Sequence, residues 1–461
     1  MTNAVPLGRG LGVKRSIAVG AILALAWSGP PAEAAAPTVT LARSTVLTTD
    51  GRTALTYTGY MNGESFQQDG IVTVGNRQYA AFWDQAGYVN LSRRQLPGGD
   101  WQNLRFTDYR TTSTDSHNTI SIGIAPADGT IHLAFDTHSS QFRYRRSAAG
   151  LATSATWSTG SFGAVQTRLT ATSMDVVTYP QFFAHPDGTL QLAIRTGYSG
   201  TGDEVLYEYR SGAWTYIGEF IDGTTAGNNA YLFGIEYDDY DPAAPLLHVT
   251  WTVRETSDAS TNHDLYYAYS KDRGRTWRNN AGTVIATSGS NPLRSDAADL
   301  KVWGIAQNRG LINQESQVVD AGGIVHVLAS HLPASAASTT DFTAAREKAV
   351  LVHYWRDKAS KGWHQTWTPF LERSARGDIA IDDKDDVYVV SGDSSTRRLH
   401  IQTASKASGW TDWTLRWTSS PIYFSDPLID HPRLRTQNVL SFFAPRYGGS
   451  RIDVQDWNTG G

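Results

Sequence analysis

The chain has 461 residues, 40% hydrophobic and 18% charged, with 15 Trp and 42 Gly, which suits a large packed core and excludes a disordered chain. The absence of cysteine excludes disulfides and thiolate metal sites. A formal net charge of −4 argues against a nucleic-acid partner, so an acidic ligand would have to be met by a local cluster of cations.

At the N-terminus, Arg9, Lys14 and Arg15 precede a short apolar run, Ile17 to Trp27, and Ala32-Glu33-Ala34 offers a cleavage site. Residues 1–34 therefore read as a secretory signal peptide, too short to span a bilayer stably, and 35–461 as one secreted, extracellular domain. No later stretch is apolar and long enough for a transmembrane helix, so no membrane partner is expected.

Beyond the leader, short β-runs alternate with Gly, Asp, Asn and Ser turns, and no long amphipathic helix stands out. An apolar strand recurs seven times, at Gln78–Trp83, Thr130–Phe135, Thr189–Ile194, Leu246–Trp251, Ile324–Ala329, Asp386–Val390 and Val439–Phe443. Each is followed by an aromatic-rich strand, at Tyr88–Arg94, Phe142–Arg146, Val205–Arg210, Leu265–Ser270, Val350–Arg356, Leu399–Thr403 and Ile452–Trp457. A tryptophan often comes next, as at Trp101, Trp157, Trp214, Trp277, Trp363 and Trp410. Copies at roughly 50–80 residue spacing predict an all-β, seven-bladed β-propeller; a pair of β-sandwiches would not explain the repeat. The last copy ends at the C-terminus without room for a fourth strand, so 39–58 is expected to supply it and close the ring.

Two further motifs read as structural. Ser270-Lys271-Asp272-Arg273-Gly274-Arg275-Thr276-Trp277 fits the Asp-box pattern, in which Ser and Asp close a turn, Gly permits it and Trp packs between strands. Asp382-Asp383-Lys384-Asp385-Asp386 lacks the glycine of an EF-hand and reads as a solvated turn. Among the twelve histidines, His132, His248 and His326 hold the same repeat position between aliphatics and read as core residues.

Chemistry concentrates between Asp115 and Arg210. His117 and His138 lie at strand ends of one blade, beside Asn118 and Asp136, and Tyr179 and Arg195 follow in the next. The block Thr178-Tyr179-Pro180-x-Phe182-Phe183, then Asp187-Gly188-x-Leu190, Arg195-x-Gly197-x-Ser199-Gly200-x-Gly202-Asp203 and Tyr209 resembles the BNR-4 propeller family. His117-Asn118, His138, Tyr144-Arg145 and Asn313-Gln314 extend the resemblance over nearly the whole chain past the leader.

The family holds seven-bladed polysaccharide lyases, notably ulvan lyases and lyases of rhamnosyl-glucuronate glycans of gum-arabic type. The resemblance implies β-elimination at a uronic acid: loss of the C5 proton and expulsion of the C4 oxygen. Arg195 would neutralise the carboxylate, since a guanidinium is always charged and grips it bidentately. His117 and Tyr179 would serve as base and acid; His is the readier base at neutral pH, but the order could be reversed. His138 would orient the uronate or help neutralise it, and Asn118, Arg143, Tyr198, Arg254 and His263 are candidate sugar contacts. The expected enzyme is a monomer needing no catalytic cofactor and no catalytic metal; some relatives carry a structural calcium, which no motif here demands.

Two rivals share the scaffold. A sialidase is disfavoured by the absence of an Arg-Ile-Pro motif near the N-terminus and the single good Asp-box, whereas a rhamnosidase-type hydrolase is not. A non-catalytic carbohydrate-binding propeller would not require His117, Tyr179 and Arg195 together.

Overall fold

Seven antiparallel sheets follow one another along the chain and stand side by side around a central channel. The computed structural model describes residues 37–53, 61–64, 69–225, 227–371, 373, 375–424 and 426–460. The leader expected at residues 1–34 lies outside them. Blade I runs outward through Ile71–Val74, Arg77–Trp83, Tyr88–Gln95 and Gln102–Arg110. Blade II has three strands, Ile120–Ile124, Ile131–Phe135 and Tyr144–Arg146; the bridges Tyr144–Gln166 and Ser147–Phe162 occupy the outer position. Blade III comprises Val177–Ala184, Leu190–Thr196, Glu204–Arg210 and Ala213–Ile221.

Blade IV is the largest, with Asn229–Tyr237, Leu247–Arg254, Asn262–Ser270 and three shorter strands outside them. Blade V consists of Ser316–Val319, Val325–His331, Val350–Arg356 and Trp363–Leu371, and blade VI of Gly377–Ile381, Val387–Asp393, Arg398–Ala404 and Thr414–Thr418. Blade VII joins Leu428–Ile429, Val439–Pro445 and Ile452–Gly460 to the N-terminal strand Thr38–Thr48. That strand pairs with Ile452–Gly460 from Thr38–Gly460 to Thr48–Ile452, closing the ring between the two ends of the chain. The closing strand expected at 39–58 thus ends at Thr48, and residues 54–58 lie outside the described residues.

The repeated signature corresponds to the second and third strands of every blade. Their side chains are buried on both faces because neighbouring blades cover both, so the sequence reads as near-continuous apolar runs. Trp83, Trp251 and Trp277 are fully buried. In the Asp-box turn, the Ser270 hydroxyl accepts from the amides of Asp272 and Gly274, while Asp272 accepts from the amide and hydroxyl of Thr276.

The repeat histidines bond within the blades, although Nε2 of His326 has no hydrogen-bond partner among the described residues and lies 3.6 Å from Asp320. His132 bonds Tyr144 and Thr130, His248 bonds Tyr267 and Asp238, and His326 bonds His353. The Asp382–Asp386 turn differs from expectation: Asp382, Asp385 and Asp386 are buried. Asp382 accepts from the amides of Lys384 and Asp386 and from the Tyr388 hydroxyl, while Lys406 pairs with Asp385.

Every first strand begins at the same end of the channel, where the hairpins between second and third strands also lie. This common end gathers short loops from all seven blades into one mouth. Below it, the first strands enclose a cavity of about 510 Å³, lined partly by Asp69, Glu236, Glu315, Asp378 and His431.

Candidate active site

Asp115, in the link leading into blade II, organises the mouth. Its Oδ1 accepts from the His117 backbone amide at 3.0 Å and lies 2.5 Å from His117 Nδ1. Its Oδ2 lies 2.6 Å from Nδ1 of His138, on the second-to-third hairpin of the same blade. The two imidazoles stack with centroids 4.3 Å apart and planes 16° from parallel. With both Nδ1 atoms bonded to one carboxylate, each ring turns its Nε2 away from Asp115.

Tyr179 completes this group, its ring centroid 6.2 Å from that of His117 and 6.1 Å from that of His138. It has a φ of +58°, a left-handed conformation unusual for a bulky side chain. Its strand is bulged there: Gln181 pairs with Ala193, whereas Thr178 pairs with Arg195. The bulge takes Tyr179 out of the regular alternation, a common means of re-aiming a side chain beside a functional site.

Arg195 is 2% exposed and stretches along the mouth, donating from Nε to the Ala230 carbonyl (3.3 Å) and from Nη2 to the Tyr198 carbonyl (2.9 Å). The Gly-rich hairpin after it has a steric reason. A Cβ on Gly202 would lie 2.3 Å from the Arg195 guanidinium and 2.4 Å from the Thr196 carbonyl oxygen.

Tyr231, on the first strand of blade IV, sits beneath two cations: Arg195 and Arg254 lie 4.5 and 4.6 Å from its ring centroid. Arg254 is held by Asn262 (2.9 Å), Ser199 (3.3 Å) and Asn313 (2.6 Å). The Asn313 carbonyl accepts from Arg376 Nε at 2.9 Å, and Arg376 also pairs with Asp426 at 3.4 Å. Three arginines thus follow one another around the mouth on blades III, IV and VI.

The electrostatics separate the titrating groups. Burial holds His117 below its ordinary range, assisted by His138 and Arg376 and opposed by Asp115. Burial would raise Asp115, but its hydrogen bonds to His117 and His138 outweigh that and hold it well below the carboxylate range. Tyr179 is pushed up, chiefly by burial and by Tyr231, against the pull of Arg195, Arg254 and Arg376. Tyr231 is drawn down, because Arg195 and Arg254 overcome its burial. The mouth therefore favours a neutral imidazole at His117 and a protonated phenol at Tyr179 near neutral pH.

His117, His138, Tyr179, Arg195 and Arg254 gather in this one region, and Tyr198 stands on its rim, 58% exposed. The other three expected sugar contacts have structural partners. The Asn118 amide donates to the Ser113 hydroxyl and the Asp115 carbonyl, bracing the Asp115 loop. Arg143 closes its own hairpin on the carbonyls of Asp136 and Gln141. His263 lies between Asp264 (2.9 Å) and Glu255 (3.4 Å). Reasoning from sequence assigned no role to Asp115, Tyr231 or Arg376. The Asp-x-His spacing was a signal for the first; no sequence signal marked the other two, which reach the mouth because first strands begin there.

Asp115, His117 and His138 have the donor types of a metal site, as do Asp203, Glu219 and Asp222. In the first group both Nδ1 atoms already lie at hydrogen-bond distance from the carboxylate. In the second, Asp203 accepts from the amides of Gly223 and Thr224, and Asp222 pairs with Arg294.

A model of the BNR repeat-containing family matches residues 77–371. The long-isoform ulvan lyase of Alteromonas sp. (strain LOR) is 26% identical over 273 residues, covering 48% of this chain and 27% of that protein. The short isoform from the same strain is 27% identical over 241 residues, covering 41% of this chain and 45% of that protein. The chain thus spans less than half the length of these relatives. Among solved structures, the polysaccharide lyase Uly1 superposes with a TM-score of 0.71 at 19% identity, covering 91% of this chain and 99% of that one. A PL25 ulvan lyase superposes with a TM-score of 0.62 at 13% identity, covering 89% and 95%.

Proposed function

The chain belongs to the BNR repeat-containing family, and on that premise we propose that it is a polysaccharide lyase that cleaves at C4 of a uronic acid by β-elimination, with a rhamnose–glucuronate linkage as substrate. One observation carries the reading: a single carboxylate fixes two stacked histidines beside a tyrosine and a buried arginine. The ulvan lyase relatives support the substrate class. A leader at residues 1–34 fits an enzyme exported to meet an extracellular polymer.

The C5 proton of a uronate is barely acidic until the adjoining carboxylate is neutralised. Arg195 has two nitrogens engaged by carbonyls and a third, Nη1, left for a carboxylate oxygen. Its charge counts most where negative charge gathers, in the transition state. His117 removes the C5 proton through Nε2, the nitrogen that Asp115 leaves unprotonated by holding the proton on Nδ1. As the C5–H and C4–O bonds break, the C4=C5 double bond forms and Tyr179 gives its phenolic proton to the departing C4 oxygen. Of the two orders open in the sequence, a lowered His117 and a raised Tyr179 support His117 as base and Tyr179 as acid. His138, sharing Asp115, stands where it can steady the uronate.

Most hydrolases would need a carboxylate pair across the scissile bond. Asp115 is engaged by both histidines, and Glu204, pushed up to about 8 chiefly by burial, lies 3% exposed opposite Arg195 in the hairpin. The test is to mix the protein with ulvan and with gum arabic and follow ultraviolet absorbance of the new double bond, beside His117→Ala and Arg195→Ala. A rise lost in both variants is expected. Reducing ends released without absorbance would mean hydrolysis and overturn the reading.

A further inference from the structure

Across the mouth from the histidines, on blades VI and VII, one arginine is placed differently from the others. Arg195, Arg254 and Arg376 are all bonded to protein oxygens, and Arg446 and Arg451 both pair with Asp453. The Arg397 guanidinium has no hydrogen-bond acceptor among the described residues. It rests instead against two aromatic rings, 4.8 Å from the centroid of Tyr447 and 5.7 Å from that of Phe424. Those rings are nearly parallel, 8° apart in plane.

Backbone bonds fix the arrangement. The Phe424 amide donates to the Pro445 carbonyl, the Tyr447 amide to Ile422, and the Tyr423 amide to Arg397 itself. Arg397 has a φ of +58° in the tight Asp393–Arg397 turn, a conformation that glycine or asparagine would adopt at lower cost. Phe424 is buried, whereas Tyr447 is 42% exposed and Ile422 equally so, leaving one face of the cluster open. The cluster lies on the hairpins of blades VI and VII, at the same end of the ring as His138 and Tyr198.

A partly exposed guanidinium held by stacking keeps its in-plane donors turned outward, ready for a planar or tetrahedral oxyanion. An exposed tyrosine beside it offers a surface for a sugar ring. In a chain with a net charge of −4, such a cation stands out as a local attraction for an acidic polymer. We propose that Arg397 and Tyr447 form a second glycan subsite, where Arg397 binds the carboxylate or sulfate of a sugar outside the cleaved linkage and Tyr447 stacks on that sugar's ring. This rests on the reading of the chain as acting on an acidic polysaccharide. It gives a polymer two anchoring points on one face, so that the second binds at the effective concentration set by the first.

The test measures binding in a His117→Ala background, using calorimetry with ulvan and, separately, with chemically desulfated ulvan. Arg397→Gln and Tyr447→Ala should each weaken binding of ulvan roughly tenfold, the loss of one charge-assisted contact or one stacking surface. Arg397→Lys should recover part of the loss, since charge returns without the planar fork. A loss on Arg397→Gln that persists with desulfated ulvan identifies the carboxylate; one that vanishes identifies the sulfate. Unchanged affinity in both variants, with native circular dichroism, would overturn the subsite, as would no binding of ulvan at all. Separately, wild-type protein that binds ulvan without producing absorbance would defeat the lyase reading while leaving the subsite in place.

Discussion

A carboxylate shared by two imidazoles determines which of their nitrogens carry protons. Asp115 bonds both Nδ1 atoms, so a neutral His117 keeps its lone pair on Nε2. In Asp115→Asn the amide can accept from one ring but must donate to the other, whose proton then moves to Nε2. The expected result is a fall in kcat of about 10²–10⁴-fold, the usual scale of misplaced general acid–base catalysis, with the fold retained. The pH profile should also move. Burial lowers His117 and Asp115 opposes it, so removing the carboxylate charge lets the pKa fall further. The acid limb of kcat/KM, already below about 6.5 in the wild type, should shift to lower pH in Asp115→Asn. A limb that stays in place or moves up would remove Asp115 from this role. Gly202→Ala is a steric counterpart. Its Cβ would collide with the Arg195 guanidinium and the Thr196 carbonyl, so kcat/KM should fall toward that of Arg195→Ala while Tm drops modestly. Activity near wild type would show that Arg195 can work from another position.

The elements show why some features were legible in the sequence and others were not. The second and third strands, covered by neighbours on both faces, leave continuous apolar and aromatic runs such as Leu190–Thr196 and Glu204–Arg210. The first strands are also largely buried, and several are short, down to the two residues Leu428–Ile429, so they carry weak periodicity. Yet these strands and the links leading into them bring Tyr179, Tyr231 and Arg376 to the mouth. Tyr179 was found because its Tyr-Pro block is specific; Tyr231 and Arg376 sit in ordinary strand sequence. His263 and Arg143 were expected as sugar contacts, but local carboxylates and carbonyls engage them, a matter of tertiary placement. Ring closure was legible from counting strands, and it carries a prediction. Thr38–Thr48 covers the outer edge of Ile452–Gly460 through nine paired residues. Deleting residues 36–48 should expose that edge and lower Tm by well over 10 °C, or cause aggregation, since an unpaired edge templates association. A truncated protein melting within a few degrees of wild type would show that closure is dispensable.

At the scale of the whole ring, first strands and the residues beside them bring Asp69, Glu236, Asp378 and His431 into a narrow shared channel, and this couples stability to pH. Burial pushes Asp69 up to about 7, reinforced by Asp378, Glu236 and Asp430 and opposed by His431. Burial likewise raises Glu236 to about 7, with His431 and Arg435 opposing. Burial alone would lower His431, but Asp378, Glu236 and Asp69 outweigh it and raise it to about 9. In the unfolded chain the carboxyls titrate near 4 and the imidazole near 6.5, values of about the model-peptide scale. The folded state therefore binds more protons than the unfolded state between about pH 4 and 7 through the carboxyls, and between about 6.5 and 9 through His431. Stability falls with rising pH wherever the native state binds the excess protons, so both windows have the same sign. The contribution of His431 is fully present below about pH 6.5 and is lost as pH passes its folded pKa. Asp115 has the opposite sign below the ordinary carboxylate range, outside both windows, whereas buried imidazoles held low, such as His132 and His331, have it below about pH 6.5. Thermal unfolding followed from pH 6.5 to 9.5, above the range in which the buried imidazoles titrate, should accordingly show Tm declining. Glu236→Gln should flatten the decline. Its amide oxygen can still accept from the Val319 amide, while the variant loses both its own titration and part of the field that raises His431. A wild-type Tm that holds level or rises between pH 6.5 and 9 would show that the channel groups do not govern the balance.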